Sequence, residues 1–143
     1  MFIYVIVFGI ILLDQSTKYL ALHLLFSGKT IPVIPSVFHL SLVRNPGIAF
    51  GLFGHSPSAL TVIITLCLVA LMILSVQMRN ARWIQRLSLA FILGGAAGNM
   101  IDRILFGHVI DFLDFRVWPV FNLADSFITI GVFLFILTAV RGE

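Results

Sequence analysis

Four of the six acidic residues, Asp102, Asp111, Asp114 and Asp125, fall within residues 94–126, inside or beside strongly apolar sequence. A carboxylate near hydrocarbon is costly unless it is paired, wetted or neutralised, so an ionisable residue in such surroundings is a candidate functional site. Asp111 follows the turn-forming Phe106-Gly107-His108, and Asp125 opens a final apolar run. A chain that folds back on itself can therefore bring these two carboxyls together. Two aspartates within hydrogen-bonding reach do not both ionise cheaply and share a proton near neutral pH. The ionised one can take a proton from water while the protonated one donates to a carbonyl oxygen, which is peptide hydrolysis by a gem-diol intermediate. The same two acids could equally form a proton relay, and spacing alone leaves both readings open.

Other hydrolytic chemistries lack their partners. Ser16 and Lys18 are two apart and face different sides of a helix, and no GxSxG-type turn is present. No His-Glu-x-x-His set exists, the sole glutamate is Glu143, and His23, His39, His55 and His108 are scattered; His108 with Asp111 is the one residual metal reading.

The elements that must position these acids follow from hydropathy. The chain is 60% hydrophobic and 10% charged, with a mean hydropathy of +1.12, which excludes a soluble surface. A single integral membrane domain over residues 1–143 is expected, all-α with about four transmembrane helices at about 2–25, 58–78, 84–106 and 121–140. The apolar amino terminus lacks a basic leader and a small-residue cleavage site, and is expected to be a retained span. Residues 26–57 hold the turn formers Gly28, Pro32, Pro35, Pro46, Gly47, Gly51, Gly54 and Pro57. Within them, residues 37–44 alternate in period two, Phe38, Leu40 and Leu42 against His39 and Ser41, predicting a strand of a small surface sheet. Cys67, alone in an apolar run, is expected to be a packed core thiol. The net charge of +3 carries no basic run with interleaved aromatics, so no nucleic-acid partner is implied. Arg79, Arg82 and Arg86 mark a cytoplasmic loop, with Arg141 in agreement, which places residues 26–57 and Asp111 outside.

Polar residues inside the spans complete the pattern. Asp14 and Lys18, four apart with the acid first, are expected to be a buried ion pair fixing helix packing, with contact to substrate backbone or a lipid headgroup as the competing role. Gly94 and Gly98, beside Gly95 and Ala96, allow close helix approach. Asn99 and Arg103 share a face, and serve either interhelical bonding and snorkelling or the site itself. Asp102 is expected to pair with a basic group or cap a neighbouring element. Residues 112–120 read as a short loop with Asp114 a solvated charge, and Trp118 and Pro119 as an interfacial anchor and a helix-entry breaker. Asn122 to Ser126 form the polar first turn of the last span, whose positive end favours Asp125.

Five ordered blocks resemble the lipoprotein signal peptidase family, the bacterial signal peptidase II enzymes. They are residues 14–18 (DQSTK), 44–51 (RNPGIAFG), 94–103 (GGAAGNMIDR), 107–112 (GHVIDF) and 121–126 (FNLADS). The resemblance implies an inner-membrane aspartyl endopeptidase with four spans and a small extracytoplasmic sheet. It would need no cofactor or metal and would remove prolipoprotein signal peptides on the amino side of a diacylglyceryl-modified cysteine. Asp111 and Asp125 would be the catalytic pair; Asn45, Asn99, Arg103, Asn122 and Ala124 would line the substrate site; Asp14 and Lys18 would support it. Cyclic peptide antibiotics of the globomycin type would occupy the same cleft. The alternative, a small proton-coupled transporter using the same aspartates as a relay, would be built from duplicated halves, and no internal repeat is visible. A purely structural membrane subunit gives no reason to gather so many costly polar groups.

Overall fold

The computed structural model of the chain describes residues 2–25, 29–47 and 57–140. Its elements run α1 (Phe2–Leu24), β1 (Thr30–Ile34), β2 (Phe38–Asn45), α2 (Pro57–Gln77), a 3-10 turn (Met78–Asn80), α3 (Trp83–Phe106), β3 (Val109–Asp114) and α4 (Leu123–Val140). Apolar stretches of 18 to 24 residues follow the four α-helices, the second, Thr61–Asn80, running on through the 3-10 turn. At 1.5 Å per residue this matches the ~30 Å hydrocarbon layer, so all four helices are long and apolar enough to cross a membrane.

The bundle is organised on α3, which packs against α4, α1 and α2. Its small residues set the spacing. A Cβ added at Gly98 would stand 2.5 Å from Asp14 Oδ2, and one at Gly95 would collide with the Ala124 carbonyl oxygen, so glycine is what lets α1 and α4 approach α3 here. Gly107, at φ 73°, ends α3 in the left-handed region and donates its N–H to Arg103 O at 3.0 Å. By contrast α2 is peripheral. Cys67 lies on it and is exposed, not packed in a core. The reason is physical: a helix facing lipid is as apolar as one facing protein, so hydropathy does not separate the two.

The three strands form one antiparallel sheet in the order β1-β2-β3. It seats Phe112, Leu40 and Leu42 on Ala21 in the last turns of α1 and on Leu25 just beyond it. The expected strand at residues 37–44 is β2, but β3 corrects the expectation of a loop from residue 112. Val109, Ile110, Asp111 and Phe112 are all buried, so both faces of this strand are covered and its sequence shows no polar alternation. The register passes from Leu40↔Leu113 to Val43↔Asp111, and this bulge in β2 sits directly beside Asp111. After β3 the chain turns back and Phe121 is clamped to the strand: its N–H donates to Leu113 O at 3.1 Å, and its carbonyl accepts from Phe112 N and Leu113 N at 3.0 and 2.8 Å. The last helix thus starts at Leu123, two residues later than hydropathy suggested. The motif residues Ile48, Ala49, Phe50 and Gly51, with Gly28, Gly54, His55, Arg141 and Glu143, lie outside the described residues.

Candidate active site

A buried charge cluster forms where α1, α3, β3 and α4 meet. All three protons of the Lys18 ammonium are accounted for: Asp14 Oδ2 at 2.8 Å, Asp102 Oδ2 at 2.8 Å and Asn99 Oδ1 at 2.9 Å. Neutral donors complete the coordination of the two carboxyls. Gln15 Nε2 donates to Asp102 Oδ1 at 2.9 Å, Ile110 N to Asp102 Oδ2 at 3.0 Å and Ala124 N to Asp14 Oδ1 at 3.0 Å. The pairing of Asp14 with Lys18 matches the sequence, and Asp102 takes both roles foreseen for it, pairing with a basic group and capping β3. Gln15 was not singled out by sequence; its place on the helix turn carrying Asp14 and Lys18 was the available signal.

Three asparagines connect this cluster to Asp111 and Asp125. Asn99 donates to Asp125 Oδ1 at 2.7 Å, Asn122 to Asp111 Oδ1 at 2.7 Å, and Asn45 to Asp111 Oδ2 at 2.9 Å. Each amide is oriented by a partner that can only donate. Lys18 holds Asn99 Oδ1, the Asp125 backbone N–H holds Asn122 Oδ1 at 2.9 Å, and the Gly47 N–H holds Asn45 Oδ1 at 2.9 Å. The NH2 of every one of these residues therefore faces a carboxylate, with no freedom to flip. Asn122 N also donates to Asp125 Oδ2 at 3.2 Å, so Asn122 and Asp125 cap the start of α4 reciprocally.

The two aspartates sit in different surroundings. Asp111 is 1% exposed, and its carboxyl is pushed up to about 6 by burial, opposed by its bond from Asn45 and reinforced by the nearby Asp125 charge. Asp125 is half-buried at the first turn of α4, where the free N–H groups favour negative charge. It lines an open cavity of about 500 Å³ with Phe115, Trp118, Phe121, Ser126, Thr129 and Ile130. Ser126 and Thr129 donate to the carbonyls of Asn122 and Asp125 within α4. Asp125 is consequently the ionisable group of an otherwise largely apolar groove.

Arg103, half-buried, donates to Asn99 O at 3.2 Å, with its charge in reach of Asp125, Asp102 and Asp111. Ala124 does not line the groove: it is 0% exposed, wedged against Gly95 with its N–H held by Asp14. Asp114 is not a solvated loop charge. At 7% exposure it ends β3, accepts from Arg116 N and Ser41 Oγ, each at 2.9 Å, and pairs with the Arg116 guanidinium. The Arg116 N–H is the chief reason its carboxyl lies below the usual range. Among the described residues no three metal-ligating side chains cluster, His108 and Asp111 included.

Four helices long and apolar enough to cross a membrane, holding buried carboxylates beside an apolar groove, define a class, the integral membrane proteins with an ionisable site inside the bundle. The comparisons narrow it. The model for signal peptidase (SPase) II matches residues 6–141, and the chain belongs to that family, which removes signal peptides from lipoproteins. It is similar to the lipoprotein signal peptidase of Halothermothrix orenii, 44% identical over 135 residues covering 94% of this chain and 92% of that one. Likeness to the lipoprotein signal peptidase of Desulforapulum autotrophicum reaches 50% over 136 residues, 89% and 84% of the two chains. Two solved bacterial membrane enzymes, each 29% identical, superpose with TM-scores of 0.82 and 0.83; the first comparison covers 97% of this chain and 87% of the other, the second 99% and 94%.

Proposed function

We propose that this chain is an intramembrane aspartyl endopeptidase that cleaves prolipoproteins on the amino side of a diacylglyceryl-modified cysteine, with Asp111 and Asp125 as the catalytic pair. The observation that carries the reading is that both carboxylates are bonded to Asn122 in one buried network at the edge of an apolar groove. Asp111, buried and raised toward neutrality, is the acid that donates to the scissile carbonyl oxygen. Asp125, which receives the Asn99 amide and faces the groove, is the base that takes a proton from water. Water adds to the carbonyl carbon, giving a gem-diol. Its collapse breaks the C–N bond as Asp125 passes its proton to the leaving amine and Asp111 takes one from a gem-diol hydroxyl, which returns both aspartates to their starting states. Arg103 and Asn45 would hold substrate carbonyls.

Phe115, Trp118, Phe121 and Ile130 give the groove a surface suited to a signal helix and acyl chains, so a cyclic peptide of the globomycin type would compete there. The arginine-rich turn at the opposite end of the bundle supports an extracytoplasmic site. The test compares a diacylglyceryl-cysteine precursor with its unlipidated twin. The wild-type chain is expected to cut only the former, while Asp111→Asn and Asp125→Asn each abolish cutting without loss of fold; near-wild-type turnover by either variant would sink the assignment.

A further inference from the structure

A second pocket lies at the other end of the bundle. Ile3 and Tyr4 of α1, Ser75 and Val76 of α2, Arg79 of the 3-10 turn and Arg86 of α3 enclose about 160 Å³. A volume of this size admits a phosphodiester and not a whole lipid. Its polar character is one-sided. Ser75 Oγ donates to Met72 O at 2.7 Å, so the charged donors are the two guanidiniums. Among the described residues, Arg86 Nε is buried without a hydrogen-bond partner. Arg82 stands beside them, and the first turn of α3 has no acid and no side-chain cap, so its N–H groups add the same sign.

Nothing described in the chain neutralises this end. All five aspartates belong to the site or the sheet at the far end, and Glu143 lies outside the described residues. We propose that the phosphodiester of an anionic membrane lipid is held between Arg79 and Arg86. The guanidinium forks of the two arginines that line the pocket match phosphate oxygens. A lipid fits better than a soluble anion because the pocket lies where α1 starts and α2 ends. Exposed Val5 and Phe8 of α1 and Ile73 and Val76 of α2 continue from it toward mid-membrane, a surface for the acyl chains.

The pocket is some 20 Å from Lys18 along α1, so it is separable from peptide cleavage. Native mass spectrometry of the detergent-purified full chain, titrated with phosphatidylglycerol or phosphatidylcholine, tests the proposal. The wild-type chain is expected to retain one phosphatidylglycerol in preference to phosphatidylcholine, and Arg86→Gln and Arg79→Gln each to weaken it about fivefold or more. Arg86→Lys, which keeps the charge, should weaken it less than Arg86→Gln. Arg82→Gln should change it less than twofold, and cleavage of the lipidated precursor should persist in all four variants. Equal retention of the two lipids would remove the charge preference, and an equal loss in Arg82→Gln would mean diffuse surface charge; either result overturns the site. Displacement of the lipid by millimolar inorganic phosphate would assign the pocket to a soluble anion instead. Unchanged retention in both Gln variants would also refute it, and Glu143→Gln would then show whether the chain's own terminal acid fills the pocket.

Discussion

Replacing Asp111 by Asn should make the protein inactive and, above neutral pH, more stable. The Asp111 carboxyl rises from an ordinary 3.8 to about 6 in the folded protein, chiefly by burial. A folded-state value above the unfolded one means that the native state binds the proton more tightly. The penalty is absent below pH ~4, grows as pH passes through the interval and is complete above pH ~6. Its full size is about 3 kcal/mol. The neutral amide of the variant would avoid it at every pH. It would still lose something, because both Asp111 oxygens accept from amide NH2 groups, and a new amide turned toward Asn45 or Asn122 sets donor against donor. That loss, about 1–3 kcal/mol, does not vary with pH. The difference between variant and wild type should therefore move by about 3 kcal/mol in favour of the variant between pH 4 and pH 8. In thermal unfolding this is a relative gain of roughly 10 °C at ~2–4 °C per kcal/mol. Melting both proteins in the same detergent across that range measures it. A stability difference that stays flat with pH, or grows toward acid, would refute the burial argument for Asp111.

Two further perturbations probe the scaffold. Lys18→Met removes the cation shared by Asp14 and Asp102, which are 0% and 1% exposed, and should cost about 3–5 kcal/mol. Adding Asp102→Asn should restore part of this, and an unaltered melting point in the single variant would show that the cluster tolerates an unpaired charge. Gly98→Ala forces a Cβ against the Asp14 carboxylate and should cost about 1–3 kcal/mol, whereas Gly9→Ala, with nothing within 4 Å, should be neutral or stabilising by up to ~1 kcal/mol. Equal melting shifts for the two would contradict the close packing of α1 on α3.

The sequence carried the four apolar spans and the pairing of Asp14 with Lys18 because both are local signals. Hydrocarbon thickness demands long apolar runs, and the four-residue spacing puts Asp14 above Lys18 whatever the rest of the chain does. What it hid depends on neighbours. Nothing in Val109–Asp114 distinguishes a strand covered on both faces from a loop, and missing that strand turned Asp114 into a solvated charge. Cys67 illustrates the same limit, since lipid and protein interior select the same side chains. Ala124 looked like a groove residue from its motif, yet its methyl is buried and its backbone N–H is what matters, holding Asp14. The roles of the asparagines were legible as polarity but not as direction. Which end of each amide meets a carboxylate is decided by Lys18, Gly47 and the start of α4, contacts up to 81 residues away in sequence.

The clamp of Phe121 onto β3 separates the tip of that connection from its base. The backbone bonds that set Asn122 and Asp125 beside Asp111 all lie at or inside Leu113 and Phe121, while Val117 at the tip is 93% exposed. Doubling the length of such a connection adds only about 0.6 kcal/mol of closure entropy. Under the proposed function, the rim can accordingly be lengthened, shortened or rewritten to suit a different precursor while the carboxylates keep their places, so that substrate preference and hydrolysis would evolve on separate parts of one connection.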